Sequence, residues 1–237
     1  VNAEADYNSE HLVRLFDDMA KTYGAVNLVS SFGLSHLWRK ACIDLLETKP
    51  SHACADLMCG MGEATRLLVK TAGPSLSVHA VDFCPRMTER CRETVMRLRV
   101  TNGTVCTQDV FSISETTTFD RIACSFGLKT LNDSQLKTFA HLIKKLLKPS
   151  GRAAFVEIHI PANLLLRLPY LFYIRYVIPF IGWICLGNPS CYRYLARYTE
   201  DFASRDSFDA YLKEEGLDVS VFELFFGCAR IYLARCL

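Results

Sequence analysis

The chain has 237 residues, half of them apolar and 22% charged, with 27 Lys and Arg against 25 Asp and Glu and a formal net charge of +2. That length holds one large domain or two small ones, and the composition excludes disordered, collagen-like and coiled-coil chains. The balanced charge excludes an electrostatically driven nucleic-acid binder, while a mean hydropathy of +0.14 asks where the apolar excess sits.

Val1 to Glu10 is polar and acidic, unlike a signal or transit peptide. Helical spacing then places Leu12, Leu15, Phe16 and Met19 on one face over Glu10–Lys21. It does the same for Leu34, Leu37, Trp38, Ala41 and Leu45 over Leu34–Leu46, with a loop over Tyr23–Gly33 between. An alternation follows: strand Ala53–Met58, helix Glu63–Thr71, strand Ser77–Phe83, basic helix Pro85–Arg99 and short strand Thr104–Thr107. Next come strand Phe119–Phe126, helix Asp133–Leu147 stopped by Pro149 and Gly151, and strand Arg152–Ile160. Helix Ser207–Glu215 ends at Gly216, and strands Val219–Phe226 and Ala229–Cys236 meet at Gly227 like a hairpin.

Strand–helix alternation predicts a doubly wound α/β sheet. The closing hairpin puts one antiparallel strand into a mostly parallel, seven-stranded sheet, since parallel neighbours need a crossover. That combination is the Rossmann-like fold of class I methyltransferases.

The apolar excess concentrates between Ile160 and Tyr194, where Arg167, Arg175 and Arg193 and Pro169, Pro179 and Pro189 interrupt it. Prolines break a spanning helix, so the segment reads as a lid or an interfacial element rather than a membrane span, with an ordinary core helix pair as the alternative to the lid. The eleven cysteines include no CxxC and no zinc spacing; they read as reduced, buried thiols, and no metal site is expected.

The first strand runs into Asp56-Leu57-Met58-Cys59-Gly60-Met61-Gly62. Gly60 and Gly62 let the backbone approach a ligand at a helix start. A dinucleotide fold wants a third glycine for its pyrophosphate, where this chain has Thr65. Asp56 is placed to orient an ammonium group. Asp82, at the end of the second strand and twenty residues past Gly62, can accept from both hydroxyls of a ribose, and Phe83 can pack on an adenine. Asp109 can accept from the adenine amino group beside Val110, with a turn-capping role as the alternative. Ser125, Phe126 and Gly127 end the fourth strand at the ligand crevice. Together these favour S-adenosylmethionine over a nicotinamide cofactor.

With these residues in place the chain resembles the UbiE-type C-methyltransferases of ubiquinone and menaquinone biosynthesis. The likeness is carried by Leu15-Phe16-Asp17-Asp18-Met19-Ala20, by Tyr23, Asn27, Ser31-Phe32-Gly33 and Trp38, and by Phe119-Asp120-Arg121-Ile122 with Ser125-Phe126-Gly127-Leu128. It continues through Leu147-Lys148-Pro149-Ser150-Gly151-Arg152 with Glu157, Val177-Ile178-Pro179 with Ile181-Gly182, and Tyr192-Arg193-Tyr194-Leu195. The resemblance implies methyl transfer to a ring carbon of a reduced, prenylated quinone precursor, with Tyr23 and Ser125 to Gly127 enclosing the cofactor. The chain departs from the family pattern at Gly24, Ser35-His36, Lys129-Thr130 and Ile158-His159. The cofactor positions are better kept than the substrate-facing ones, which marks a diverged member.

The expected general base is His159, at the mouth of the fifth strand, followed by Lys129 as a cation that lowers the acceptor's pKa, then His36. The resemblance implies an arginine at the Lys129 position that acts through water. The expected architecture is a single domain: a helical cap over 1–47, a cofactor core over 48–160, a lid over 161–204, and a closing helix and hairpin over 205–237. The expected partner is a lipophilic aromatic acceptor and no nucleic acid, with peripheral membrane contact and a homodimer left open. The expected compartment is the cytoplasm or an organelle matrix. Rival readings are an O- or N-methyltransferase acting on a soluble aromatic, and a cofactor-binding protein without turnover.

Overall fold

The computed structural model describes residues 29–236 apart from 115, 117, 187–189 and 206; the expected helix Glu10–Lys21 and Tyr23 lie outside the described residues. One sheet holds seven strands: β1 (Ala53–Leu57), β2 (Ser77–Asp82), β3 (Asn102–Thr107), β4 (Phe119–Ser125), β5 (Leu147–Ile158), β6 (Asp218–Leu224) and β7 (Ala229–Arg235). Their order is β3-β2-β1-β4-β5-β7-β6. The first five run parallel, and β7 pairs antiparallel with both β5 and β6. The single reversed strand therefore comes from the hairpin, as the sequence anticipates.

Successive residues in the inner strands feed opposite layers. On one face Cys54, Ala123, Ala154, Val156, Ile231 and Leu233 pack under α1 (Leu34–Asp44) and α2 (Glu63–Ala72), through Cys42, Ile43, Ala64 and Leu68. On the other face Ala55, Ile122, Cys124, Phe155 and Tyr232 meet α4 (Asp133–Leu146) and α8 (Phe208–Glu214), through Phe139, Ile143, Phe208 and Leu212. The ring centroids of Phe155 and Phe208 lie 5.1 Å apart, edge to face. Strands covered on both faces read as continuous apolar runs, which accounts for part of the high hydropathy. The remaining helices are α3 (Pro85–Arg97), beside β2 and β3, and α5 (Leu164–Phe172), α6 (Ile178–Leu186) and α7 (Ser190–Arg205), which build the segment after β5.

Strand limits differ from the sequence reading by one or two residues, and the start of β5 by five; two of these differences have a visible cause. β5 begins at Leu147, because Leu147 pairs with Phe119 as soon as α4 ends, and an irregularity in register precedes the Arg121–Arg152 pair. β6 stops at Leu224, because Phe225, Phe226 and Gly227 all have positive φ (45°, 57° and 86°) and turn the chain into β7. The apolar segment also corrects an expectation. Pro169 lies inside α5, a π turn over Tyr173–Val177 follows, and the helix runs on into α6. The helix thus continues past Pro169 and through the wider turn, so the run is kept. Leu164–Ile184 is long and apolar enough to cross a membrane by length and composition.

β1 is the switch point of the sheet, flanked by β2 on one side and β4 on the other. Crossovers leave it in opposite directions there, and a crevice opens at the carboxyl ends of the strands.

Candidate active site

The crevice is a cleft lined by the ends of β1, β2 and β4 together with α1 and α2. Asp56, 1% exposed, is held by Thr65, whose backbone N–H donates to Oδ2 at 2.8 Å and whose hydroxyl donates to the same oxygen at 2.6 Å. Thr65 thus fixes the carboxylate rather than failing as a dinucleotide glycine. The other oxygen, Oδ1, is buried with no hydrogen-bond partner. Burial pushes the Asp56 carboxyl up to about 7.

Asp82 braces the glycine loop from β2. Its Oδ2 accepts from the Gly60 N–H at 2.9 Å and its Oδ1 from the Cys84 N–H at 2.9 Å. Burial raises its pKa against the pull of these two bonds. Gly60 lines the cleft, with φ +53°. Gly62 serves packing instead: at φ +83° it lets α2 begin, and a Cβ there would lie 2.9 Å from Cys91 Sγ on α3. Phe83, Ser125, Phe126 and Gly127 line the cleft with Met58 and Met87. Ser125 Oγ is buried without a partner, like Asp56 Oδ1. Gly127 passes so close to Met58 that a Cβ would meet its sulfur at 2.9 Å.

Asp109 and Val110 are not among the residues lining the cleft. The Asp109 side chain accepts from the Phe111 N–H at 3.0 Å and caps the 3-10 turn Val110–Ser112, while Val110 is buried in the core. The capping alternative is thus the role this structure displays.

Two charged residues of the cleft are not among those expected from the sequence. Arg39 enters from α1, 8% exposed, with its guanidinium carbon 5.0 Å from the centroid of Phe126. A charged residue at a core-facing position of an amphipathic helix was the available signal. Glu63, in the first turn of α2, is the other.

A second cavity, about 230 Å³ and predominantly apolar, adjoins the cleft across Phe126. Trp38, Ile158, Tyr170, Ile174, Ile178 and Leu195 form much of its wall, and Lys129 is the charged residue in it. The Lys129 ammonium lies 3.1 Å from Glu157 Oε1 and donates to the Phe126 carbonyl; its backbone N–H donates to Glu157 Oε2 at 3.1 Å. The Lys129 ammonium also lies 5.8 Å from the Phe126 ring centroid. Tyr173, in the π turn between α5 and α6, donates to the Ser30 carbonyl at 2.6 Å and so ties that helix to the segment just before α1.

Of the three candidate catalytic residues, the structure brings only Lys129 to this place. His159 is a correction. Ile158 faces the apolar cavity, and in extended chain the next side chain turns the other way. His159 is buried, its Nδ1 lies 3.1 Å from the Ile160 carbonyl, and it lines a separate cavity with Arg167, Arg175 and Glu200. His36 is the second correction. Ser35 and Trp38 face the cavity one helical turn apart, which leaves His36 on the exposed side of α1.

The residues present fit S-adenosylmethionine. The orphaned Asp56 Oδ1 suits an ammonium donor and Asp82 suits a ribose diol. Three carboxylates around the cleft, Asp56, Glu63 and Asp82, suit a cationic ligand better than a pyrophosphate. The fold and this cleft define a class I S-adenosylmethionine-dependent methyltransferase. The solved DhpI–SAH complex shares the fold at TM-score 0.63 and 16% identity, covering 97% of this chain and 98% of that one. Residues 4–234 match the model of the ubiE/COQ5 methyltransferase family, and the chain belongs to it. It is 31% identical to a demethylmenaquinone methyltransferase of Thermotoga maritima, over 94% of this chain and 95% of that protein. It is 27% identical to a ubiquinone/menaquinone biosynthesis C-methyltransferase, UbiE, of Geotalea daltonii, over 94% and 95%.

Proposed function

We propose that the enzyme methylates a ring carbon of a lipophilic, quinol-like aromatic held in the apolar cavity. The observation that carries this reading is the cavity itself: an apolar chamber with one lysine that meets the cofactor cleft at Phe126. Its relatives from Thermotoga maritima and Geotalea daltonii, named for menaquinone and ubiquinone chemistry, support it.

In this reading 48–160 is the cofactor core and 161–204 the lid. S-adenosylmethionine supplies an electrophilic methyl group. Asp56 takes its ammonium, Arg39 its carboxylate and Asp82 its ribose, while Gly60, Phe83, Ser125, Phe126 and Gly127 shape the cleft. The cavity wall excludes water from the acceptor ring. Lys129 lines the cavity and as a cation would favour the phenolate of a bound ring hydroxyl, whose proton leaves to solvent. The ring carbon would take the methyl as the methyl–sulfur bond breaks, leaving S-adenosylhomocysteine, and the hydrogen of that ring carbon would leave as a proton when the ring regains its aromaticity and the phenolate. Glu157 holds Lys129 in place through both the ammonium and the backbone N–H. Nine described cysteines are free and seven of them are buried, which favours a reducing compartment such as the cytoplasm or an organelle matrix.

The test is turnover with labelled S-adenosylmethionine and short-chain naphthoquinols and benzoquinols kept reduced. The expected product carries the label on ring carbon. Lys129→Ala lowers turnover by roughly a hundredfold, with S-adenosylhomocysteine affinity held within about threefold. Turnover of soluble catechols or amines in place of the quinols overturns the acceptor.

A further inference from the structure

We propose that the outer face of the helix running through α5, the π turn and α6 docks on an anionic lipid bilayer and lies in its headgroup plane. The helix has two apolar faces, and among the described residues only one of them is packed. Ile174 and Ile178, 2% and 7% exposed, pack inward with Tyr170 and Tyr173 and wall the acceptor cavity. The opposite face repeats every four residues as Leu168, Phe172, Tyr176, Phe180 and Ile184, with Trp183 beside them, and each of these is more than half exposed. A helix on a protein surface ordinarily turns polar residues outward; large aliphatic and aromatic side chains there mark a contact.

Charge selects the occupant. Between Glu157 and Glu200 the sequence carries Arg167, Arg175, Arg193 and Arg197 and no Asp, Glu or Lys. Arg175 is held by Glu200 at 2.7 Å, and Arg197 lies 4.0 Å from Asp201. Arg167 is exposed on the docking helix itself, with no acidic partner among the described residues. Arginine among Trp, Tyr, Phe and Leu suits phosphate headgroups above acyl chains. The inner face walls the acceptor cavity, so the helix lies along the protein and a crossing would dismantle that wall. Exposed aromatic rings belong to the cavity wall next to this helix: Phe32 and Phe225, 81% and 54% exposed, line it, and the Phe32 ring lies 6.2 Å from that of Tyr173. A lipid-dissolved acceptor therefore enters from the surface on which the helix rests. That purpose rests on the acceptor reading; the docking itself does not.

The test is flotation of the full chain with vesicles of phosphatidylcholine alone or with phosphatidylglycerol added. The wild type floats with the anionic vesicles at low salt, and binding weakens at high salt. The double variant Phe172→Glu, Phe180→Glu, which touches neither cavity, binds at least about tenfold less while keeping its affinity for S-adenosylhomocysteine. Arg167→Glu, a surface change, weakens binding to anionic vesicles more than to neutral ones. Wild type that stays at the bottom, or a double variant that floats equally, overturns the proposal. So does sedimentation showing a dimer that the double variant breaks with no flotation of either, since a second copy then covers the face. Flotation without turnover of any quinol leaves the docking standing and removes only the acceptor.

Discussion

If Asp56 takes the cofactor's ammonium, as proposed, it is the residue at which folding and cofactor binding oppose one another. Burial lifts its carboxyl from 3.8 to about 7, and only one oxygen is satisfied, by Thr65. In the unfolded chain the proton leaves near the ordinary value, whereas the folded chain keeps it to about 7. The contribution to stability is therefore complete below pH about 4 and is lost as the pH rises through about 7. An ammonium at Oδ1 reverses the preference, favours the carboxylate and expels the proton. Calorimetry of S-adenosylhomocysteine binding at pH 6, in two buffers of different ionisation heat, is expected to show release of up to about one proton. Asp56→Asn removes the release; equal heats in both buffers for the wild type refute the assignment. The same scale shows why catalytic residues were the least legible part of the sequence. His159 was picked for its chemistry and its place at a strand end, but which way a side chain turns there depends on a parity that one residue of error inverts. Lys129 shares its short segment with the cofactor motif, so it was carried to the site by the same turn.

At the scale of elements, the strands and the glycine turn were legible because their signals are local. Alternating apolar runs, an acid at the end of each of the first two strands and Gly-x-Gly at a helix start each need only a few residues. The start of β5 and the end of β6 were not, because pairing with β4 sets one and three consecutive positive-φ residues set the other. The continuity of the helix after β5 was not legible either: a rule that stops a helix at proline does not foresee Pro169 inside α5 with a π turn carrying the chain on into α6. Gly62 is a tight joint between elements. It caps α2 at φ +83° with α3 pressed against it. Gly62→Ala imposes an unfavourable backbone conformation and drives a methyl into Cys91, and is expected to destabilise the fold by roughly 2 kcal/mol in urea denaturation. Because Gly62 does not line the cleft, S-adenosylhomocysteine affinity measured on the folded fraction should hold. An undiminished unfolding midpoint would show that α3 yields freely.

On the scale of the whole molecule, two chambers of opposite character meet at one ring. Acidic side chains and backbone turns surround the cofactor cleft, while Trp, Tyr and Ile wall the acceptor cavity. Phe126 divides them with φ +63°, its backbone N–H fixed to the Val156 carbonyl at 2.8 Å. Two cations approach the ring, Arg39 at 5.0 Å and Lys129 at 5.8 Å. Its negative face and bulk let these positive groups serve separate ligands at short range. Phe126→Ala keeps the backbone strain but removes the partition, joins the chambers and admits water between donor and acceptor. Turnover should fall by more than about tenfold and the acceptor KM should rise, since the apolar wall and the alignment are lost together. S-adenosylhomocysteine affinity should change by only about threefold, because Asp56 and Asp82 remain. Steady-state kinetics beside calorimetry separate the two effects. A loss confined to cofactor affinity would make Phe126 a cofactor contact alone, and full activity with both ligands would show that the chambers need no wall.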